Sequence, residues 1–412
     1  MLSIKRLALY ATIIAATACG GSTAVEPRTQ PVVIDALPRA LSAGEQKLVT
    51  AANDFSFSLF RQLSAARKDS NVFTSPLSAS MALGMTMNGA AGPTLSQMQS
   101  TLGFANASEP EINDGYKSLI KLLRELDASV DFRIANSIWY RTGFPVNQTF
   151  VDASKNFFDA QVTALDFSLP AAVSTINNWV RTSTETKIPT IIDRIDADQV
   201  MFLINAIYFK GGWRDKFDRT KTTDAQFHGI AGDQPMKLMH RNGKVRMLYA
   251  TDYAAADLPY GNSAFTMTVV LPHPGVNINT VAASLTTSSW AALASQFHES
   301  SGDLFLPRFK LEWERELNDD LKVLGMRDAF IPDGADFTRM SPLGKKLYIS
   351  VVKQKTYVDV NEEGTEAAAV TNVGISVTSA PPSFRVDRPF IFVIRERLSG
   401  TIVFMGKIVR MP

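Results

Sequence analysis

Apolar residues recur at three-to-four spacing from Leu48 through Ala52, Phe55 and Leu59 to Leu63, which predicts an amphipathic helix with one buried stripe. Ser75-Pro76 reads as a helix start, and the run behind it, with Leu77, Met81, Leu83 and Met87, is apolar nearly all round. A helix of that kind has to be buried. Leu119, Ile120, Leu122, Leu123 and Leu126 mark a third helix. Runs rich in Val, Ile, Phe and Tyr predict strands around 131–140, 201–209, 264–271, 303–309, 347–361, 390–395 and 401–409. Helices gather early and strands late, without β-α alternation, so the pattern predicts an α+β fold. No period of 20–50 residues repeats, which excludes solenoids and propellers. From about Ser42 onward there is no boundary, so 43–412 reads as one domain.

One segment breaks the pattern. Val352, Gln354, Thr356, Val358 and Val360 alternate with Lys353, Lys355, Tyr357, Asp359 and Asn361, as in a half-buried strand. The strand runs into Glu362-Glu363-Gly364-Thr365-Glu366-Ala367-Ala368-Ala369, and no clear element returns until near Phe384. A structureless stretch of that length inside a compact domain means either a wrong element assignment or a functional loop. Were it to become a strand, Thr365, Ala367, Ala369, Thr371 and Val373 would share one face, which holds no charge, proline or large ring. Glu366 falls on the other face, with Ala368, Val370 and Asn372. The loop is built to become a strand.

Composition narrows the function. The chain has 412 residues, 45% of them hydrophobic, and a net charge of +2, which gives no global argument for binding nucleic acid. One cysteine and four histidines exclude intramolecular disulfides and argue against structural zinc. At the N-terminus, Lys5 and Arg6 precede a short apolar stretch from Leu7 to Ala18, a pattern of export signals, with 1–18 as the signal peptide. The stretch is too short to span a bilayer. The cysteine, Cys19, follows Ala16-Thr17-Ala18, which resembles a bacterial lipobox in which it would be lipidated. Ala16 departs from the leucine usual there, and an ordinary signal peptide is the alternative. Residues 19–42 read as a flexible tether.

Enzyme signatures are missing. There is no Gly-x-Ser-x-Gly elbow, P-loop, Gly-x-Gly-x-x-Gly or His-Glu-x-x-His. His228, His240, His273 and His298 fall in loop-like or strand-end contexts and read as ordinary polar residues. The start of a calcium loop at Asp359-x-Asn361-x-Glu363-Gly364 fails because its twelfth position is Val370. Lys117, Lys121 and Arg124 lie beside Glu125 and Asp127 and read as a solvated face. The expectation is a non-enzyme with no cofactor, no metal and no nucleic-acid partner.

The motifs then become specific. Glu362 to Ala369 resembles the hinge of inhibitory serpins almost residue for residue. Asn71-Val72-Phe73-Thr74-Ser75-Pro76-Leu77-Ser78, Asn205-Ala206-Ile207-Tyr208-Phe209-Lys210-Gly211-Gly212-Trp213, Leu306-Pro307-Arg308-Phe309 and Asp387-Arg388-Pro389-Phe390 resemble the same family, in family order across 43–412. The resemblance implies three β-sheets, eight or nine helices and one exposed reactive-centre loop. It implies a hinge at Glu363, Gly364, Thr365, Glu366, Ala367, Ala368 and Ala369. It also implies a shutter holding Ser75, Ser78 and Asn205, and a breach holding Trp213. Where the family often has a shutter histidine this chain has Gln354, an amide still able to bridge polar neighbours, so altered opening energetics are expected.

The resemblance further implies suicide inhibition. A serine protease forms its acyl-enzyme on the loop, the cleaved loop inserts as a new strand, and the tethered protease is distorted in a covalent 1:1 complex. Serpin loop insertion is an established case of strand addition. Family spacing puts the scissile bond fourteen residues beyond the hinge glycine, at Thr378-Ser379, with Val377-Thr378 as a variant. Between Gly364 and Phe384 there is no Lys or Arg, which argues against trypsin-like targets. Ile375, Ser376 and Val377 are small or β-branched and suit an elastase-like protease, with subtilisin-like enzymes second. The expected protein is a monomer, exported and lipid-anchored to the bacterial envelope, facing the periplasm or the cell surface, or otherwise secreted. The alternative is a non-inhibitory serpin acting as a binding module.

Overall fold

The computed structural model describes residues 30–365 and 383–412. Contacts divide the chain into a unit of residues 1–30 and a unit Pro31–Pro412. The described residues form helices α1 (Ala43–Ala66), α2 (Pro76–Met87), α3 (Gly92–Thr101), α4 (Glu109–Glu125), α5 (Gln148–Phe158), α6 (Ala171–Ser183), α7 (Ile278–Ser284), α8 (Thr287–Ser295) and α9 (Asn318–Val323). Seven strands come first: β1 (Val72–Thr74), β2 (Val130–Arg141), β3 (Ala160–Leu165), β4 (Met201–Gly212), β5 (Thr223–Gly229), β6 (Gly232–Tyr249) and β7 (Tyr253–Pro259). Seven more follow: β8 (Phe265–Pro272), β9 (His298–Glu316), β10 (Lys353–Asn361), β11 (Gly364–Thr365), β12 (Ser383–Arg385), β13 (Phe390–Glu396) and β14 (Ile402–Ile408). The fold is α+β.

Local chemistry starts the helices. Ser42 and Glu45 form a reciprocal capping box at the head of α1, and the Leu48-to-Leu63 stripe is buried. Lys407 closes the other end by donating to the carbonyls of Ser64, Arg67 and Lys68. Ser75 caps α2, Pro76 occupies its first turn, and the helix is buried almost throughout.

The strands follow one hydrogen-bonded path, β1-β14-β13-β8-β7-β6-β9-β10-β11-β4-β2-β3. The path is continuous because two long strands, β6 and β9, pair with three partners each. β9 pairs β6 through His298–Arg308 and β10 through Phe309–Glu316. β6 pairs β5 near its start and β7 near its end. The central segment is β3-β2-β4-β11-β10-β9.

Three expectations need correcting. The strand predicted over 347–361 begins only at Lys353. Residues before it spend their backbone groups elsewhere: Ile349 N–H donates to Ala329 O, Val352 N–H to Asn318 Oδ1, and Val352 O accepts from Leu317 N–H. His240 lies mid-strand in β6, not at a strand end, bonded to Asp303 and stacked on Phe305. Residues 31–41, read as tether, lie along the body instead. Ile34, Leu37 and Leu41 pack on the core, and Arg39 pairs with Glu45. Pro31 O accepts from Arg214 at 2.9 Å and Ile34 N–H donates to Asn262 O at 3.0 Å. Ile34, Leu37 and Leu41 stand at three-to-four spacing, but Pro38 falls inside that short run, so the spacing does not read as a helix and their burial is not announced by the sequence.

Candidate functional site

The chain leaves β10 at Asn361, turns through Glu362-Glu363, and re-enters the central sheet as β11. Gly364 pairs with Gly212 and Asn361, and Thr365 with Gly211 and Val360, antiparallel on both sides. β11 is therefore the first step of a strand lying between β4 and β10. Gly364 has φ +148, and a Cβ there would stand 2.2 Å from Gly211 O. Only glycine permits that approach.

The turn is held from several directions. Glu362 O accepts from Phe217 N–H, and Glu363 O accepts from Trp213 N–H. Trp213 also donates its indole N–H to Asn361 O at 2.8 Å and stacks on Tyr260, with centroids 4.5 Å apart. The buried Glu363 carboxylate faces Lys216 at 2.9 Å and Arg219 at 3.4 Å. Glu362 accepts from the Thr222 hydroxyl and lies 3.8 Å from Arg308. Buried carboxylates answered by cations in this way pin the turn, since removing either partner would leave a buried charge uncompensated. Thr365 is 4% exposed and bonds the Tyr260 hydroxyl at 2.9 Å. Burial pushes the Tyr260 phenol far above its ordinary value, so it stays protonated.

Below β11 the central sheet is open. Among the described residues β4 and β10 are not paired with each other. The upper part of the gap, between Ile207-Tyr208-Phe209 and Tyr357-Val358-Asp359, has room of only about 10 Å³. Lower down it widens to a cavity of about 580 Å³ whose walls include Ser78, Ile188, Ile191, Asn205, Ile207 and Gln354. The α6–β4 connection crosses its front. Asn177 fastens that connection by accepting from the N–H groups of Ile191 and Ile192 and donating to Ile192 O. Lys353 and Lys355 on β10 reach it at Asp193 and Thr190. Asp359, on the outward face of β10, is also buried and pairs with Lys310 at 3.0 Å.

The floor of the gap is polar at one level. Gln354 Oε1 accepts from the Thr74 hydroxyl at 2.6 Å and Ser75 N–H at 3.1 Å, while its Nε2 donates to Ser75 O at 2.7 Å. Ser75 Oγ donates to Val403 O at 2.8 Å and accepts from Ser78 N–H, capping α2. Thr356 Oγ1 donates to Phe73 O. Across the gap Asn205 Nδ2 donates to Asn136 Oδ1 at 2.7 Å, and Asn136 donates to Phe158 O. The structure thus brings Ser75, Ser78 and Gln354 together on one side, with Asn205 opposite. Trp213, Glu363, Gly364 and Thr365 gather at the top.

These arrangements coincide with what the comparisons find. A family profile described as Serpin (serine protease inhibitor) matches residues 50–411. Serpin B11 of Mus musculus is 33% identical over 384 residues, covering 87% of this chain and 98% of its own. The chain belongs to the serpin family. Among solved structures, the thermophilic serpin Tengpin in its native state superposes with a TM-score of 0.82 at 30% identity, covering 93% of this chain and 98% of its own. Human thyroxine-binding globulin complexed with thyroxine gives a TM-score of 0.82 at 28% identity, covering 90% of this chain and all of its own. The serpin fold is therefore established for this chain, and the family supports serine protease inhibition in general.

Sequence reasoning missed several residues of the serpin's site. Tyr260, Lys216, Arg219 and Asn136 stand in no spacing that marks them, while Thr74 and Thr356 lay within a motif and an alternating strand without being singled out. The pairing Glu362-Glu363 was the available signal, since adjacent acids at a turn demand cations nearby. Other residues named from the sequence, namely Cys19, Glu366, Ala367, Ala368, Ala369, Ile375, Ser376, Val377, Thr378 and Ser379, lie outside the described residues.

Proposed function

We propose that this serpin is a suicide inhibitor of an elastase-like serine protease, with subtilisin-like enzymes as second targets. The observation that carries the reading is the open gap between β4 and β10, with Gly364-Thr365 already paired to both at its upper end. The target attacks the loop at Thr378-Ser379, or at Val377-Thr378, and forms its acyl-enzyme. Cleavage releases the segment behind Thr365, which enters the gap as a strand and carries the acylated protease with it. The uncharged inward set Thr365, Ala367, Ala369, Thr371 and Val373 supports this, since a narrow upper gap admits small side chains. About a dozen added backbone hydrogen bonds, at roughly 0.5–1.5 kcal/mol net each, drive insertion by on the order of 10 kcal/mol. The uncut state is then held kinetically. Export and lipidation at Cys19 would hold the inhibitor at an envelope surface, where it guards against an extracytoplasmic protease.

The test mixes residues 31–412 with elastase and resolves the products on a denaturing gel. A boiling-resistant band at the summed mass, with cleavage mapped after Thr378 or Val377, is the expected result. Cleavage without that band points instead to a non-inhibitory serpin.

A further inference from the structure

The α6–β4 connection leaves α6 through Thr184-Glu185-Thr186-Lys187-Ile188, and this turn lies over the narrow upper part of the gap. Thr184, Lys187 and Ile188 wall that part together with Ile207-Tyr208-Phe209 of β4, Tyr357-Val358-Asp359 of β10 and Thr365. The turn is held on both sides of the gap. Glu185 is ion-paired to Arg133 on β2, the strand beyond β4. Lys187 stands over the Tyr357 ring of β10, 5.4 Å from its centroid. Between the two holds the backbone is left-handed, with φ +48 at Glu185 and +64 at Thr186.

Neither residue suits that conformation. There the Cβ of an L-residue crowds the backbone, so glycine and asparagine are the usual occupants and a β-branched side chain is worst placed. Thr186 is exposed, so burial of its side chain does not offset the strain. The surroundings impose the turn instead. Thr186 N–H donates to Arg181 O at 2.7 Å, Lys187 N–H to Thr184 O at 2.9 Å and Ile188 N–H to Thr184 Oγ1 at 3.1 Å. Ile188 and Ile191 are buried in a small core with Trp139 and Val180.

We infer that Glu185-Thr186-Lys187 is a strained clasp over the gap, closed by its two side-chain holds and loaded to open at Thr186. A strand continuing from Thr365 between β4 and β10 has to part them, and parting them draws Tyr357 away from Arg133. The holds resist that movement. The strain released at Thr186 offsets part of what lifting the connection costs. The balance of the two sets how readily the gap is uncovered in the uncut molecule. This rests on the insertion reading above and adds an element that regulates entry.

Amide hydrogen exchange in the uncut protein reports the clasp through Ile188 N–H, bonded to Thr184 Oγ1, and through Ile191 and Ile192 N–H, bonded to Asn177. Thr186→Asn keeps a polar side chain and relieves the left-handed strain, so these amides exchange roughly fivefold more slowly than in wild type. Thr186→Gly acts in the same direction by less, because glycine also frees the lifted turn. Glu185→Gln removes one hold and speeds exchange roughly two- to fivefold, an effect that shrinks in high salt. Rates unchanged by Thr186→Asn, or slowed by Glu185→Gln, overturn the clasp. With elastase, Thr186→Asn shifts the products from covalent complex towards cleaved inhibitor, and Glu185→Gln shifts them the other way. Slower exchange with an unaltered product ratio overturns the role in entry. A wild type that forms no covalent complex overturns insertion itself, and the exchange rates then decide the clasp alone.

Discussion

Thr365 heads the face proposed to insert, and it is already inside the sheet. Its side chain is 4% exposed, bonded to Tyr260, and bounded by Gly211 on β4 and Val360 on β10. An arginine there would bury an unpaired cation, which costs several kcal/mol. Thr365→Arg therefore keeps the loop outside and slows insertion below hydrolysis of the acyl-enzyme. The expected outcome is a cleaved substrate in place of the covalent complex, with the inhibitor consumed per trapped protease rising roughly tenfold or more by gel titration. Unchanged trapping by this variant would refute insertion through β11. Gly364 sets the adjacent limit, since a Cβ beside Gly211 O would push β11 off β4.

At the scale of elements, α1 couples the N-terminal segment to acid stability. Glu45 caps its own helix and is held by Arg39, with Ser118 and Ser42 N–H as further donors, so its carboxyl is pulled from 4.5 to about 2. A carboxyl lowered on folding contributes stability that is present above about 4.5 and lost as pH falls toward 2. Urea midpoints measured over that range are expected to fall. Glu45→Gln costs about 1–3 kcal/mol at neutral pH and flattens this part of the decline. β10 shows a second coupling. Its inward residues bind α2 through Gln354 and its outward lysines bind the α6–β4 connection, so widening the gap strains contacts on both faces.

For the whole molecule, the compact unit starts at Pro31. Arg214, which donates to Pro31 O, follows Trp213 directly, and Asn262, whose carbonyl accepts from Ile34 N–H, belongs to the turn after Tyr260. The N-terminal segment therefore braces the same wall that holds Thr365. Removing residues 31–41 is expected to lower stability by roughly 2–5 kcal/mol, from lost apolar burial and hydrogen bonds. It should also shorten the time for which the uncut inhibitor stays active at 37 °C. Equal denaturation midpoints and equal decay for chains starting at Gln30 and at Ser42 would show that the segment is only a tether.

Periodicity and motif order alone determined the α+β class, the buried α2, the alternating β10 and the family of this chain. Those are properties of residues adjacent in sequence or held at fixed spacing, where a pattern of 2.0 or 3.6 is enough. Tertiary structure decided the rest. The strand of 19 residues that joins two sheet segments, the missing pairing between β4 and β10, and the open acceptor on Asn205 depend on residues far apart in sequence, where no local period reaches. Gln354 shows the division most plainly. Its inward position was readable from alternation, whereas its bonds to Thr74 and Ser75 required α2 to be folded beneath it. A side chain's facing is set locally by the pleat, but its partners are set by whatever the chain brings to that face.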